Sequence, residues 1–159
     1  MMSASWASDG PPEELRHVID PLEAWATDVV RTRGLAQRVR VRPDELTVLL
    51  DASPALVDIA VEADYLGDPG VPADHLRFLV AHEIAHAQRR RDGATLVGKE
   101  AEHACDCIAR ELVGVEVAAA AIDGYRRWRE ARGLIGSDEG SASHPSADER
   151  ISYVRRHCV

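Results

Sequence analysis

The chain has 159 residues, of which 45% are hydrophobic and 29% are charged, proportions that are ordinary for one soluble globular domain. Its net charge of −8 argues against nucleic acid or an anionic membrane surface as a partner, because an acidic surface repels both. The first ten residues lack the basic and apolar segments of a signal peptide, and no stretch approaches the roughly 20 apolar residues that span a bilayer. We therefore expect a single domain, residues 1–159, located in the cytoplasm and without membrane insertion.

The predicted strands precede most of the predicted helices. Residues 1–34 are predicted to form an N-terminal helical cover, whose amphipathic stretch 21–34 ends with arginines that suit the helix dipole. Residues 38–66 are rich in Val, Leu and Ile, are interrupted by Pro43, and predict about three short strands. This order predicts an α+β fold, in which a small antiparallel or mixed sheet packs on a mainly helical layer.

The remaining segments are predicted to be helical. One helix covers residues 74–91, with Asp74 as its N-cap, and others cover 96–113 and 116–133. The last segment, 144–157, opens with Ser146 and Glu149 in the spacing of a capping box.

The three cysteines are an odd number and do not suggest a disulfide framework. We interpret Cys105 as a small residue of the core. Cys107 together with His103 offers an alternative, a zinc-binding pair that would need further ligands nearby.

The 74–91 helix contains the sequence HEIAH, in one of the most apolar stretches of the chain. At about 100° per residue, His82 and His86 lie about 40° apart, so both imidazoles can reach one point beside the helix. Glu83 lies next to that face. Burying such groups without partners is costly, and a zinc ion held by the imidazoles accounts for all three. The pattern alone is weak, and its alternative is two surface histidines with a salt-bridging glutamate.

A catalytic zinc site takes three protein ligands and leaves a position for water. On the 96–113 helix, Glu102 lies at the edge of the apolar face, whereas Glu100 points to the far side. Glu102 is therefore the better candidate for the third ligand. One turn further on, Asp106 could accept the outer N–H of a zinc-bound histidine and fix its tautomer. The alternative is a solvated helix face, on which Arg110 pairs with both carboxylates.

Three motifs in order, HEIAH, EHACDCIA and SHPSADERI, resemble the HtpX-like and CAAX-prenyl-endopeptidase group of gluzincin zinc metallopeptidases. The resemblance covers about residues 46–154. It implies that His82, His86 and Glu102 bind one zinc ion, that Glu83 is the general base, and that the substrate is a peptide or polypeptide. The chain departs from the best-known members because it lacks their membrane helices and has only 15 residues, 87–101, between the second histidine and the third ligand.

The SHPSADERI segment is predicted to complete the site. Pro145 restricts the backbone before a capped helix, so His144 could be held above the zinc and donate a hydrogen bond to the oxyanion of a tetrahedral intermediate. Arg150, if buried, could pair with Asp106. The alternative is that His144 is an exposed loop residue and Arg150 a surface cation.

The predicted reaction is hydrolysis of an amide bond by zinc-activated water, with Glu83 as the proton acceptor. The extended segment 57–65 could offer an edge to which a peptide adds as a strand, or it could be an internal strand. Alternative functions are a non-catalytic zinc-binding regulatory or interaction module, an intracellular peptidase of the ImmA and IrrE type, and a biosynthetic amide hydrolase. Glu83 favours an enzyme, because a structural zinc site gains nothing from a carboxylate that does not coordinate the metal.

Overall fold

The computed structural model describes residues 10–134, 140 and 144–158. These residues form six α-helices and one three-stranded mixed sheet, which confirms the predicted α+β class. The chain divides into two compact units, Met1–Gly70 and Val71–Val159. The prediction of a single domain stays a prediction. Within the described residues, no helix is both long enough and apolar enough to cross a membrane.

The first unit begins with a 3-10 turn, Glu13–Leu15, and helix α1, Arg16–Thr32. The helix starts before the predicted residue 21, and Pro21 lies inside it. Pro21 cannot donate a backbone hydrogen bond within the helix. Ile19, two residues before it, is fully buried on the apolar face of α1, and this burial offsets the loss of that hydrogen bond. The other buried residues of α1 follow at helical spacing: Leu22, Ala26 and Val30.

Three strands complete the first unit: β1, Arg38–Asp44; β2, Val48–Ala52; and β3, Leu56–Glu62. The order is β1-β3-β2, with β1 parallel and β2 antiparallel to β3. Ile59 of β3 lies opposite Val41 of β1 and Leu49 of β2. Pro43 does not end β1, because an edge strand tolerates a residue that donates no backbone hydrogen bond.

Strand β3 is the central strand, so both of its edges are paired. The alternative in which segment 57–65 offers a free edge to a peptide is therefore wrong. The last residues of segment 57–65 are also not extended, because Ala63–Leu66 form the short helix α2. The apolar, β-branched residues of this segment predicted the strand but did not identify its neighbours in the sheet.

A buried carboxylate joins β1 to β3. Asp58 is 7% exposed and accepts hydrogen bonds from Arg40 and Arg42, with closest distances of 3.0 and 2.8 Å. The three residues lie on one face of the sheet, because Arg40 is directly opposite Asp58 and Arg42 is two residues further along β1. Two guanidinium groups thus share one carboxylate.

The second unit contains α3, Ala73–Arg91; α4, Gly98–Val113; α5, Val115–Ala131; and α6, Ala147–Arg156. Helix α3 packs against α4 and α5, and α6 packs against α5 and α4. The predicted cap of α3 is wrong, because Pro72 is at the N-cap and Asp74 lies in the first helical turn. The predicted cap of α6 is confirmed: the Ser146 hydroxyl oxygen accepts the Glu149 backbone N–H at 3.1 Å.

Helices α3 and α5 approach each other closely at Gly124. A Cβ atom at this position would lie 2.9 Å from two atoms of the His75 ring. A side chain at this position would therefore require the His75 ring to move, which gives glycine a role here although it weakens a helix interior.

A disulfide joins Cys107 of α4 to Cys158, with their Cα atoms 5.3 Å apart. The odd number of cysteines did not suggest a disulfide framework, but two of the three form this one bond. The two partners are 51 residues apart in sequence and meet only because α6 packs on α4, so local spacing held no signal of the bond. The bonded Cys107 is not a thiolate zinc ligand. Cys105 is buried and unbonded, as expected for a core residue.

Candidate metal centre

Helix α3 places two imidazole groups side by side. His82 and His86 are one turn apart, with their ring centroids 4.9 Å from each other. The helix is buried around this point, because residues 80–85 all have little solvent exposure. The His82 side chain is 8% exposed and that of His86 is 26% exposed, so the pair faces a partly enclosed space.

Helix α4 brings a carboxylate to both imidazoles. One Glu102 oxygen lies 3.0 Å from His82 Nε2, and the other lies 3.3 Å from His86 Nε2. One ligand atom from each of these three residues lies within 4.8 Å of the other two. Glu100, on the same helix, is exposed and is not a member of this group. The packing of α3 on α4 thus selects Glu102, as the helix-face argument predicted.

The spacing of the three residues fits a small divalent cation. Zinc bonds of about 2.0–2.2 Å in a tetrahedral arrangement place neighbouring ligand atoms about 3.3–3.6 Å apart. The two Glu102 oxygens lie 3.0 Å from His82 Nε2 and 3.3 Å from His86 Nε2, respectively, and one ligand atom from each of the three residues lies within 4.8 Å of the other two. Two imidazoles and one carboxylate form a ligand set that zinc accepts. His82, His86 and Glu102 could therefore hold a metal ion.

Asp106 supports the site from behind His82. Its side chain is fully buried, and its Oδ1 lies 2.8 Å from His82 Nδ1. Arg150 of α6 donates two further hydrogen bonds to the same carboxylate, from Nε and Nη2, each at 2.8 Å. Because Asp106 accepts the Nδ1 proton, the Nε2 atom of His82 is the one directed to Glu102.

The charges of these groups depend on one another. Burial alone would lower the pKa of His82, but hydrogen bonds to Asp106 and Glu102 outweigh it and raise the pKa to about 10. Burial also opposes ionisation of both carboxyl groups. Hydrogen bonds from His82 and His86 nevertheless hold the pKa of Glu102 well below its usual range, and the charge of Arg150 does the same for Asp106. The two carboxylates that contact His82 thus favour the protonated form of its ring.

Glu83 lies on α3 beside His82 and is 8% exposed. It is not one of the three residues whose ligand atoms converge. The assignment of Glu83 as the general base stays a prediction.

The segment before α6 contains the other predicted site residue. His144 is exposed and lies at a bend, while the following Pro145 is buried. The proposed hydrogen bond from His144 to an oxyanion stays a prediction. Arg150, in contrast, lies against Asp106 and is not a free surface cation.

Sequence reasoning missed the way in which α6 is held beside the centre. The rings of His103 on α4 and Tyr153 on α6 are stacked, with centroids 4.1 Å apart. Tyr153 also contacts the His157 ring, at 5.3 Å. The spacing of Arg150, Tyr153 and His157, three and then four residues, places them on one face of a helix. The sequence thus indicated that these three residues share one face, but it did not indicate which residues of α4 that face contacts.

Comparisons with known proteins identify no relative. No protein-family model matches the chain, and no curated protein or solved structure matches it significantly.

Proposed function

We propose that this protein is a zinc-dependent metallopeptidase that hydrolyses peptide bonds, with His82, His86 and Glu102 as the zinc ligands. The observation that supports the proposal most directly is the convergence of these three side chains. Glu83, which follows His82 in sequence, is also buried. Asp106 adds support, because metal-binding histidines commonly donate their outer N–H to a carboxylate. The fold alone would not support an activity.

A bound zinc ion would supply a polarising charge for the scissile carbonyl and for the attacking water. The residues of the chain would do the rest. Asp106 and Arg150 hold His82 in one orientation. The Glu83 carboxylate would take a proton from the attacking water and deliver it to the amine that leaves.

Metal analysis of matched variants tests the ligand assignment. Glu102→Ala should lose the stoichiometric zinc that the unaltered protein retains after dialysis, whereas Glu100→Ala, on the exposed side of α4, should keep it. The assignment is wrong if Glu102→Ala keeps zinc while Glu100→Ala loses it. Circular dichroism of both variants would show that the helices remain folded.

A second variant separates metal binding from chemistry. Glu83→Gln preserves the size of the side chain but cannot accept the proton, so it should bind zinc normally and lose peptidase activity by several orders of magnitude. Cleavage of a diverse peptide library is the assay. Unchanged turnover in this variant would exclude the general-base role. A protein that binds zinc but cleaves no peptide would instead favour the non-catalytic zinc-binding module.

We further propose that His144 donates a hydrogen bond to the oxyanion. Its replacement by alanine should lower kcat by about 10²–10³ with zinc retained. Steady-state kinetics together with metal analysis would measure both quantities, and normal turnover would assign His144 to the loop alone.

Membership of the HtpX-like and CAAX-prenyl-endopeptidase group is likewise a proposal, supported by the order of the three motifs and by the Glu102–Asp106 spacing on α4. The cytoplasmic location is a proposal as well. Stable disulfides are rare in that compartment, where those present usually take part in redox chemistry. The Cys107–Cys158 bond therefore fits a cytoplasmic location only if it takes part in redox chemistry. Peptide profiling would distinguish this family from a biosynthetic amide hydrolase, which would cleave no peptide.

A further inference from the structure

The C-terminal helix lies beside the metal centre and is attached to α4 along its length. Different kinds of interaction join α6 and the residues after it to α4: the ion pair Lys99–Glu149, the stacked rings His103–Tyr153, the ion pair Asp106–Arg150 and the disulfide Cys107–Cys158. Only the last of these is covalent, and its cysteine on α4 directly follows Asp106. The disulfide thus adjoins the residue that holds His82.

The disulfide determines where the end of α6 lies. Cys158 follows the last residues of the helix, which ends at Arg156. Apart from the disulfide, a hydrogen bond of 3.5 Å from Arg110 Nη1 to the Cys158 carbonyl oxygen joins Cys158 to α4. A single contact of this length is weak. Breaking the disulfide would therefore release Cys158 from α4 and leave α6 joined to α4 by non-covalent contacts alone.

The disulfide is also open to attack. Cys107 and Cys158 are each half-buried, and both border a surface cavity of about 320 Å³. The other residues around this cavity are Arg110, Glu111, Gly114 and Val115. The cavity has room for a thiol-bearing side chain or a small thiol, and the positive charge of Arg110 favours a sulfur anion next to it. Exposed disulfides are the ones that exchange readily.

We propose that the Cys107–Cys158 disulfide is a reversible thiol-exchange site for a cellular dithiol, and that its reduction weakens metal binding through Arg150 and Asp106. This inference rests on the proposed metal function of the same site. The route is physical and short: the disulfide fixes the end of α6, α6 carries Arg150, and Arg150 holds the carboxylate that orients His82.

The exchange balances without any further reactant. A thiolate of the dithiol attacks one sulfur of the disulfide, the S–S bond breaks, and its electron pair leaves on the other sulfur, which takes a proton from solvent. The second thiol of the dithiol then attacks the mixed disulfide and releases the first cysteine. Cys107 and Cys158 end as thiols, and the dithiol ends as a cyclic disulfide, with two electrons transferred.

Loss of the outer partners of a metal ligand typically weakens metal binding by about 10–100-fold. In the reduced protein, Arg150 is displaced for part of the time and not removed. We therefore expect the zinc dissociation constant to rise by about tenfold.

The test compares oxidised and disulfide-free protein without any thiol in the assay, because thiols bind zinc themselves. The double variant Cys107→Ser/Cys158→Ser is titrated with zinc against a competing chelator, beside the oxidised wild type. Cys105→Ala is the matched control, because it removes a buried cysteine that takes no part in the disulfide. Wild-type protein that has been reduced, capped with iodoacetamide and freed of reagent replaces the double variant if that variant does not fold.

A roughly tenfold weaker affinity in the disulfide-free forms, with Cys105→Ala unchanged, supports the proposal. Equal affinities overturn it and leave the metal centre intact. Absence of zinc binding even in the oxidised wild type overturns the metal centre, and with it this inference. The exchange step is measured separately, by mass spectrometry after incubation with the dithiol dithiothreitol. Reduction in native protein supports the proposal, whereas reduction that requires urea overturns it.

Discussion

Replacing Asp106 with asparagine removes a negative charge from a fully buried side chain and changes its volume little. The carboxylate accepts hydrogen bonds from His82 at 2.8 Å and from two nitrogen atoms of Arg150 at 2.8 Å. An asparagine offers one oxygen and no charge, so the Arg150 guanidinium loses its counter-charge in a poorly hydrated place.

Breaking a buried ion pair in this way typically costs about 3–5 kcal/mol. We take the low end, about 3 kcal/mol, because 22% of the Arg150 side chain is exposed to water. In a chain of this length, 1 kcal/mol shifts Tm by roughly 2–4 °C, so the metal-free protein should lose roughly 6–12 °C. The zinc dissociation constant should rise by about 10–100-fold, since His82 loses the acceptor that orients it.

Thermal and urea unfolding of the metal-free protein, followed by circular dichroism, measure the losses of Tm and of free energy, and titration against a chelator measures the change in zinc affinity. Asp148→Asn is the matched control, because Asp148 on α6 is 83% exposed and pairs with Arg126 at the surface. Its stability should change by less than about 0.5 kcal/mol. If Asp106→Asn behaved like this control in both assays, the account of Asp106 as the support of His82 would be refuted.

Three further outcomes are expected. The pKa of His82 is raised to about 10 in the metal-free protein, so its contribution to stability is complete below its unfolded pKa of about 6.5 and fades as pH rises toward 10. Zinc needs the neutral ring, so the rise in Tm on adding zinc should be larger near pH 8 than near pH 6, and equal rises would contradict this. Gly124→Ala should lower the free energy of unfolding by about 1–3 kcal/mol, because its Cβ would meet the His75 ring at 2.9 Å. Calorimetry that showed stabilisation would mean that the ring moves aside freely. Asp58→Asn should cost about 2 kcal/mol in urea unfolding, because both arginines of β1 lose a charged acceptor, and a change below about 0.5 kcal/mol would show that water screens them.

Local patterns in the sequence were sufficient for several features. Helical periodicity placed His82 and His86 on one face, because the rotation per residue is a property of the backbone and needs no partner. Helical periodicity also placed Glu102, and not Glu100, at the edge of the apolar face of α4. The α+β class followed from the order of strand and helix patterns, and Ser146 was identified as a cap because capping acts within one turn.

Other features depended on contacts between distant parts of the chain. The central position of β3 is decided by which strands pair, because the hydrogen bonds of a strand to its neighbours join segments that are separate in sequence. Cys107 bonds to Cys158, 51 residues away in sequence, and the residues next to either cysteine do not indicate which residue it bonds to. The sequence by itself determined which side chains could bind a metal ion. The packing of α3 and α6 on α4 decided that the histidines face Glu102 and that Asp106 is held by Arg150, because side-chain distances across helices depend on how whole helices pack.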